Sequence, residues 1–217
     1  MNRWPSMFLF AALIIPTENM DGWRTERFSR IPSNDVSASE RGLLIRVRRS
    51  ASPLIFPLKS EISVTGFKVR GEFHGLPKFS DVKQQGQKGS DDYALRIGVI
   101  VPGEKRLSSL KKIFASQWVR HLYGQIPAGS GLDHVHFFNI TQNPAQVGKS
   151  REHPASDLME EEFFALVEKE GPFFYEHTLK QPLKAVAVWI SIDGDDTKSD
   201  YEVLISKLEF SFKSDSP

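Results

Sequence analysis

Residues 186–200 read VAVWISIDGDDTKSD, and this stretch decides the fold class. Val186, Val188, Ile190 and Ile192 interleave with Ala187 and Trp189, the two-residue period of a strand whose side chains point alternately to opposite faces. A polar turn follows, Asp193-Gly-Asp195-Asp196-Thr197, and then an apolar alternation through Leu208, Phe210 and Phe212. The same period recurs upstream: Leu43, Ile45 and Val47 against Leu44, Arg46 and Arg48; Phe67, Val69, Gly71 and Phe73 against Lys68, Arg70 and Glu72; Leu95, Ile97, Val99 and Val101 around Arg96 and Gly98. Successive strands with one polar face predict an all-β antiparallel β-sandwich rather than alternating strand–helix units.

Two segments break the period. Leu107, Leu110, Ile113, Phe114, Trp118 and Leu122 fall at helical spacing over 106–122. Asp157 with Glu160 reads as a capping box, Glu160-Glu-Glu162 suits the positive end of a helix dipole, and Gly171-Pro172 reads as the stop. One or two peripheral helices are therefore expected. The polar stretches His74–Ser90 and Thr141–Ser156 read as long loops. At the start, Arg3 precedes the apolar run Met7–Ile15 and Pro16 ends it, so 1–19 reads as a signal peptide and 20–217 as one domain. The competing reading makes Phe8–Ile15 a buried first strand.

Composition narrows the functions. There are 28 Lys+Arg against 27 Asp+Glu, a formal charge of +1, so no broad positive field exists to attract nucleic acid. The absence of cysteine excludes thiolate nucleophiles, Cys-ligated zinc and iron–sulfur clusters. No later segment reaches the length of a transmembrane anchor. Gly-x-Ser-x-Gly, a phosphate-binding glycine loop and His-Glu-x-x-His are all missing.

Three polar groupings remain. Asp193, Asp195 and Asp196 fit an Asx-rich turn that caps its own backbone, and secondarily a Ca2+ loop built from carboxylate and carbonyl oxygens. Asp91-Asp92 precedes the strand that carries Arg96; because neighbouring residues face opposite ways, one of the two is expected to pair with that guanidinium. His134-x-His136 has a metal-ligand spacing, but Phe137–Thr141 supplies no carboxylate and the next histidine, His153, lies in a loop, so the pair reads as solvent-facing. Trp118, Tyr123 and Trp189 suit either a core or, if exposed, a surface on which sugar rings stack.

With these residues laid out, the chain resembles the secreted bacterial family catalogued as domain of unknown function 3047. The resemblance rests on Gly22-Trp23, Ser50-Ala-Ser52, Phe67-Lys-Val69, Asp91-Asp-Tyr-Ala-Leu-Arg96 and Ile192-Asp-Gly-Asp-Asp-Thr197, in that order, across most of 22–212. It implies export to the periplasm or beyond, and it brings no established activity. The closing strand–Asp loop–strand is similar to the end of galactose-binding-like jelly rolls. On that analogy the expected function is a non-catalytic carbohydrate-binding module. Arg70, Asp91, Asp92, Arg96 and Trp189 would form its binding face, with Asp193, Asp195 and Asp196 around Ca2+. The alternatives are a glycan-cleaving enzyme with Asp91 or Asp92 facing Asp193 or Asp195 across a cleft, and an envelope scaffold.

Overall fold

The computed structural model describes residues 9–104, 131–154 and 156–214. The helix expected over 106–122, with Trp118 and Tyr123, lies outside the described residues. Within them the chain is all β: β1 (Leu9–Ile15), β2 (Arg24–Thr25), β3 (Asp35–Ser39), β4 (Gly42–Arg48), β5 (Leu54–His74), β6 (Leu95–Gly103), β7 (Gly131–Thr141), β8 (Ser150–His153), β9 (Ser156–Leu166), β10 (Gly171–Ser191) and β11 (Asp200–Ser214). A short 3-10 turn, Val82–Gln84, is capped by the Asp81 side chain.

The strands run β3-β4-β11-β5-β10-β6-β7-β9-β8, with β1 on β11 and β2 on β5. Pairing is antiparallel except between β7 and β9, which are parallel because β9 inserts between β7 and β8. The two longest strands, β5 and β10, make the sheet fold over. Gly171–Thr178 pairs with Phe73–Gly66, the register slips before Leu183, and it slips again between Ala185 and Ala187. Pro182 lies in the first slip and Pro57 pairs with Ala187 at the second. A proline cannot donate to the ladder, so it sits where pairing is already interrupted.

Each long strand thus serves two arms. The first joins β3, β4 and β11 to the end of β5 and the start of β10; the second joins the start of β5 and the end of β10 to β6, β7, β9 and β8. The arms close as a sandwich around one aromatic seam, where Phe67 on β5 meets Phe138 on β7 at 5.1 Å and Phe164 on β9 at 5.2 Å between ring centres. Leu43, Ile45 and Val47 point inward as their alternation predicts, as do Phe67, Val69 and Phe73. β6 departs from the expected half-polar pattern. It lies inside the second arm and is buried on both faces from Leu95 to Val101, Arg96 included.

The helix expected from the Asp157 cap onward is corrected: Ser156–Leu166 forms β9. Its capping signals are local, whereas the partners that determine the conformation are distant. Glu161 turns to the face that carries two arginines, and Glu160 and Glu162 turn to the opposite face. Gly171-Pro172, expected to stop a helix, opens β10, with Gly171 at φ 123°. The apolar run near the start is seen as β1, paired from Leu9 to Ile15 with Ser214 to Leu208, and Ile15 is fully buried.

Gly71 sits between β10 and β11, where a Cβ would collide with the Leu204 carbonyl oxygen and the Phe173 ring. Gly71→Ala should lower stability by about 1–3 kcal/mol, read as a lower urea midpoint at unchanged m-value.

Candidate functional site

On the outer face of the second arm, the register places Trp189, Gly98, Phe137 and Glu161 in one row across β10, β6, β7 and β9. Ser191, Arg96 and Asn139 form the next row. Gly98 is needed between the aromatics: a Cβ there would meet the Phe137 ring at 2.8 Å. The gap lets Phe137 and Trp189 pack edge to face at 5.6 Å. Beside these rows opens a cleft of about 190 Å³. Asp91, Asp92, Arg96, His153, Asp193, Asp195 and Asp196 supply its polar wall, and Phe28, Ile31, Phe137, Met159 and Trp189 its apolar wall.

Arg96 organises the polar wall. Its Nε donates to Asp193 Oδ2 at 3.0 Å, Nη1 to Glu161 Oε1 at 2.8 Å, and Nη2 to the Asp91 carbonyl, with Asp91 Oδ2 at 3.1 Å. The guanidinium also lies over the Tyr93 ring at 4.3 Å. Glu161, fully buried, accepts one further hydrogen bond from Arg151 Nε at 2.7 Å and one from Asn139 at 2.7 Å, with Arg151 Nη2 in ion-pair contact at 2.7 Å. His153 Nε2 meets Asp91 Oδ2 at 2.9 Å. Three carboxylates thus face two guanidiniums and an imidazole in a largely dry setting, where each charge depends on its partners.

The two acidic motifs, about 100 residues apart, are hydrogen-bonded to each other. Asp92 Oδ2 accepts from the Thr197 N–H at 2.6 Å and from the Thr197 hydroxyl at 2.5 Å, and Asp92 Oδ1 from the Asp196 N–H at 3.3 Å. The Asp91 N–H donates to Asp196 Oδ2 at 3.0 Å. Ser50-Ala-Ser52 holds the other side: Ser50 O accepts from the Gly194 N–H, while the Ser50 hydroxyl donates to Asn34, whose amide reaches the Ile192 carbonyl at 2.8 Å. Asp91 pairs with Arg96 and Asp92 turns away, so one of the two joins the guanidinium; both precede β6, which begins at Leu95.

The carboxyls differ in acidity. Burial raises Asp91, but Arg96 and His153 outweigh it and hold the group at about 2. Burial pushes Asp193 up to about 7 against the pull of Arg96 and Ser191. Asp195 is pushed up to about 6 by burial, then by the charges of Asp92 and Asp196.

Asp91, Asp92, Arg96, Trp189, Asp193, Asp195 and Asp196 therefore converge on one cleft, but Arg70 does not. Arg70 is on the first arm, its guanidinium over the exposed Phe174 at 5.4 Å, and is not brought to this cleft. Trp189 is only 4% exposed and forms a wall rather than a stacking platform. Asp193 is occupied by Arg96 and Ser191, and Asp196 by the Asp91 N–H. Among the described residues, the sets whose ligand atoms lie within 4.8 Å of one another are Asp91–His153–Glu161, which Arg96 and Arg151 already neutralise, and His134–His136–Glu160. The expected Asp193–Asp195–Asp196 set is not gathered. Away from the cleft, Arg46, Arg48 and Arg49 on and just after β4 are paired with Asp35, Glu202 and Asp200. Sequence reasoning missed Glu161, Arg151 and His153; the strand period of Glu161 and Phe163 was the available signal.

No protein-family model and no curated protein matches the chain. Among solved structures it is similar to a xylan-binding module, CBM15, at 10% identity over 95% of this chain and 99% of that one, with a TM-score of 0.37. It is also similar to the VIP36 exoplasmic/lumenal domain in its Ca2+/Man3GlcNAc-bound form, at 9% identity over 95% and 89%, with a TM-score of 0.35. Among the described residues no helix is long and apolar enough to cross a membrane.

Two predictions follow from the charges. Arg96→Met strands Glu161 and Asp193 and should cost about 3–5 kcal/mol; Arg96→Lys should not restore it, since an ammonium lacks the fork that reaches three acids. Stability against urea measures both. Asp195 has a folded-state pKa above its unfolded one, so its contribution is complete below about pH 4 and is lost as pH rises through about 6. Asp195→Asn should match the parent in acid and exceed it at pH 8 by about 1 kcal/mol after solvent screening, or ~2–4 °C in Tm.

Proposed function

We propose that the cleft binds a carbohydrate end unit and that the protein is a non-catalytic, exported glycan-binding module. One observation carries this reading. Trp189 Nε1 is a buried donor and Asp91 Oδ1 a buried acceptor, neither has a hydrogen-bond partner among the described residues, and both residues line the cleft. A hydroxyl both accepts and donates, so a polyol satisfies the pair. Asp195 adds a partly exposed acceptor and Met159 with Ile31 an apolar wall for ring carbons. A volume of about 190 Å³ lies below that of drug-sized sites and suits a terminal saccharide rather than a buried chain.

A second reading rests on the split acidities. Asp91 ionised at about 2 and Asp195 holding its proton to about 6 in one cleft are the two states that glycoside hydrolysis needs. Glycan-array binding and reducing-end release, measured on the parent, Asp91→Asn and Asp195→Asn, separate the readings. A module binds without releasing sugar and loses binding at least tenfold in Asp91→Asn. An enzyme releases reducing ends, and Asp195→Asn keeps binding while stopping release. A blank array with no release overturns both. Repeating the binding in EDTA and in millimolar Ca2+ tests calcium in the Asp loop. Export is supported by the apolar run Met7–Ile15, of which Leu9–Ile15 pairs with β11 as β1, and N-terminal sequencing of the protein from its own cell shows whether residues 1–19 are removed as a leader or kept as that strand.

A further inference from the structure

The face of the β7–β9 ladder opposite the cleft carries a second group of side chains. His134 and His136 project together from β7, and the parallel register sets Glu160 directly beside His136 and Glu162 beside Phe138. His134 Nε2 and His136 Nδ1 both lie 3.4 Å from the same oxygen, Glu160 Oε2. Neither contact has hydrogen-bond geometry: both nitrogens are buried and without a hydrogen-bond partner among the described residues. Two imidazole nitrogens converging on one carboxylate oxygen without bonding to it is a costly arrangement unless something else joins them.

The spacing identifies what would. Zinc ligands sit about 2.0–2.1 Å from the metal, so two of them in a tetrahedron are ~3.3–3.4 Å apart. Here both nitrogen–oxygen separations are 3.4 Å, and all three ligand atoms lie within 4.8 Å of one another. The outer support is present as well. The other ring nitrogen of His134, Nδ1, meets Asp133 Oδ2 at 3.2 Å, the carboxylate–histidine contact that fixes the tautomer and turns Nε2 toward a metal. Glu162 stands between His136 Nε2 at 3.8 Å and His177 Nε2 at 3.2 Å. The imidazoles are mostly buried, whereas the Glu160 side chain is 52% exposed, which gives an ion a route from solvent.

We propose that His134 Nε2, His136 Nδ1 and Glu160 bind a divalent transition-metal ion, zinc by preference, with a fourth coordination position left for water or a small anion. Imidazole nitrogens select zinc and its neighbours over calcium, which takes oxygen. The site ties β7 to β9 and is independent of the carbohydrate cleft, whose residues occupy the other face of the same strands.

The test uses untagged full-length protein, because a polyhistidine tag would itself bind zinc. Isothermal titration with ZnCl2 should give one ion per chain, and CaCl2 should give no heat at this site. Zinc should raise Tm by mass action, and Co2+ should give the intense visible absorption of a low-symmetry, four-coordinate site. His136→Gln should abolish binding. Glu160→Gln, at a half-exposed position where misfolding is not a concern, should weaken it at least tenfold, and Asp133→Asn ~10–100-fold. Asp195→Asn in the cleft should leave it unchanged. Absence of zinc binding by the parent overturns the proposal, as does stoichiometric binding that survives both His136→Gln and Glu160→Gln. If His136→Gln proves unfolded, Glu160→Gln with the cobalt spectrum decides.

Discussion

A guanidinium taken out of water must have its donors met and its charge balanced where it sits, and Arg96 imposes that constraint on the second arm. Its partners come from three parts of the chain: Asp91 before β6, Glu161 on β9 and Asp193 after β10. Together they bring the loops at the ends of β6 and β10 onto the parallel β7–β9 pair. A buried ion network of this kind adds little net stability over an apolar one, but it tolerates few alternative arrangements. The cleft inherits that rigidity, because the atoms lining it belong to residues whose other atoms are already committed.

The β7–β9 ladder carries two unlike faces. On one, Phe137, Asn139 and Glu161 meet the cleft and its arginines; on the other, His136 and Phe138 join the aromatic seam of the sandwich, with Glu160 and Glu162 beside them in register. Since the side-chain period of a strand is two, a slip of β9 by one residue would send Glu161 toward the aromatic seam and Glu160 and Glu162 to the cleft face. The register is held by charge as much as by apolar burial.

How much of this was legible follows from the range of each signal. Strands with one solvated face announced themselves, because Leu43 to Arg48 and Phe67 to Phe73 repeat inward-apolar and outward-polar over a short span. The Asp-Asp-x-x-x-Arg and Asp-Gly-Asp-Asp-Thr groupings stood out as dense polarity between apolar strands, and they did converge. β6 looked half polar because Arg96 is charged, and nothing local showed that its partners are buried with it. β9 was lost to its own capping signals: Asp157 and Glu160 satisfy a helix rule, while the arginines that make Glu161 a strand residue are 65 and 10 positions away. That one misreading hid the histidine group too, since Glu160 supplies the carboxylate that His134-x-His136 lacks in sequence. Arg70 was grouped with Arg96 because both sit on strands with alternating polarity, and only the fold-over between β5 and β10 separates them.

The position of β11 bears on how the chain comes into being. It follows every other described strand in sequence, yet it lies between β4 and β5 and also carries β1, with a bond from Thr17 to the carbonyl of Ser206 spanning 189 residues. During synthesis, β4 and β5 wait with open backbone edges that nothing nearer in the sequence covers. Such edges template pairing with other chains, and closure across so long a loop is slow. The first arm is therefore completed only once β11 has emerged, and until then the nascent chain depends on its surroundings to keep those edges apart.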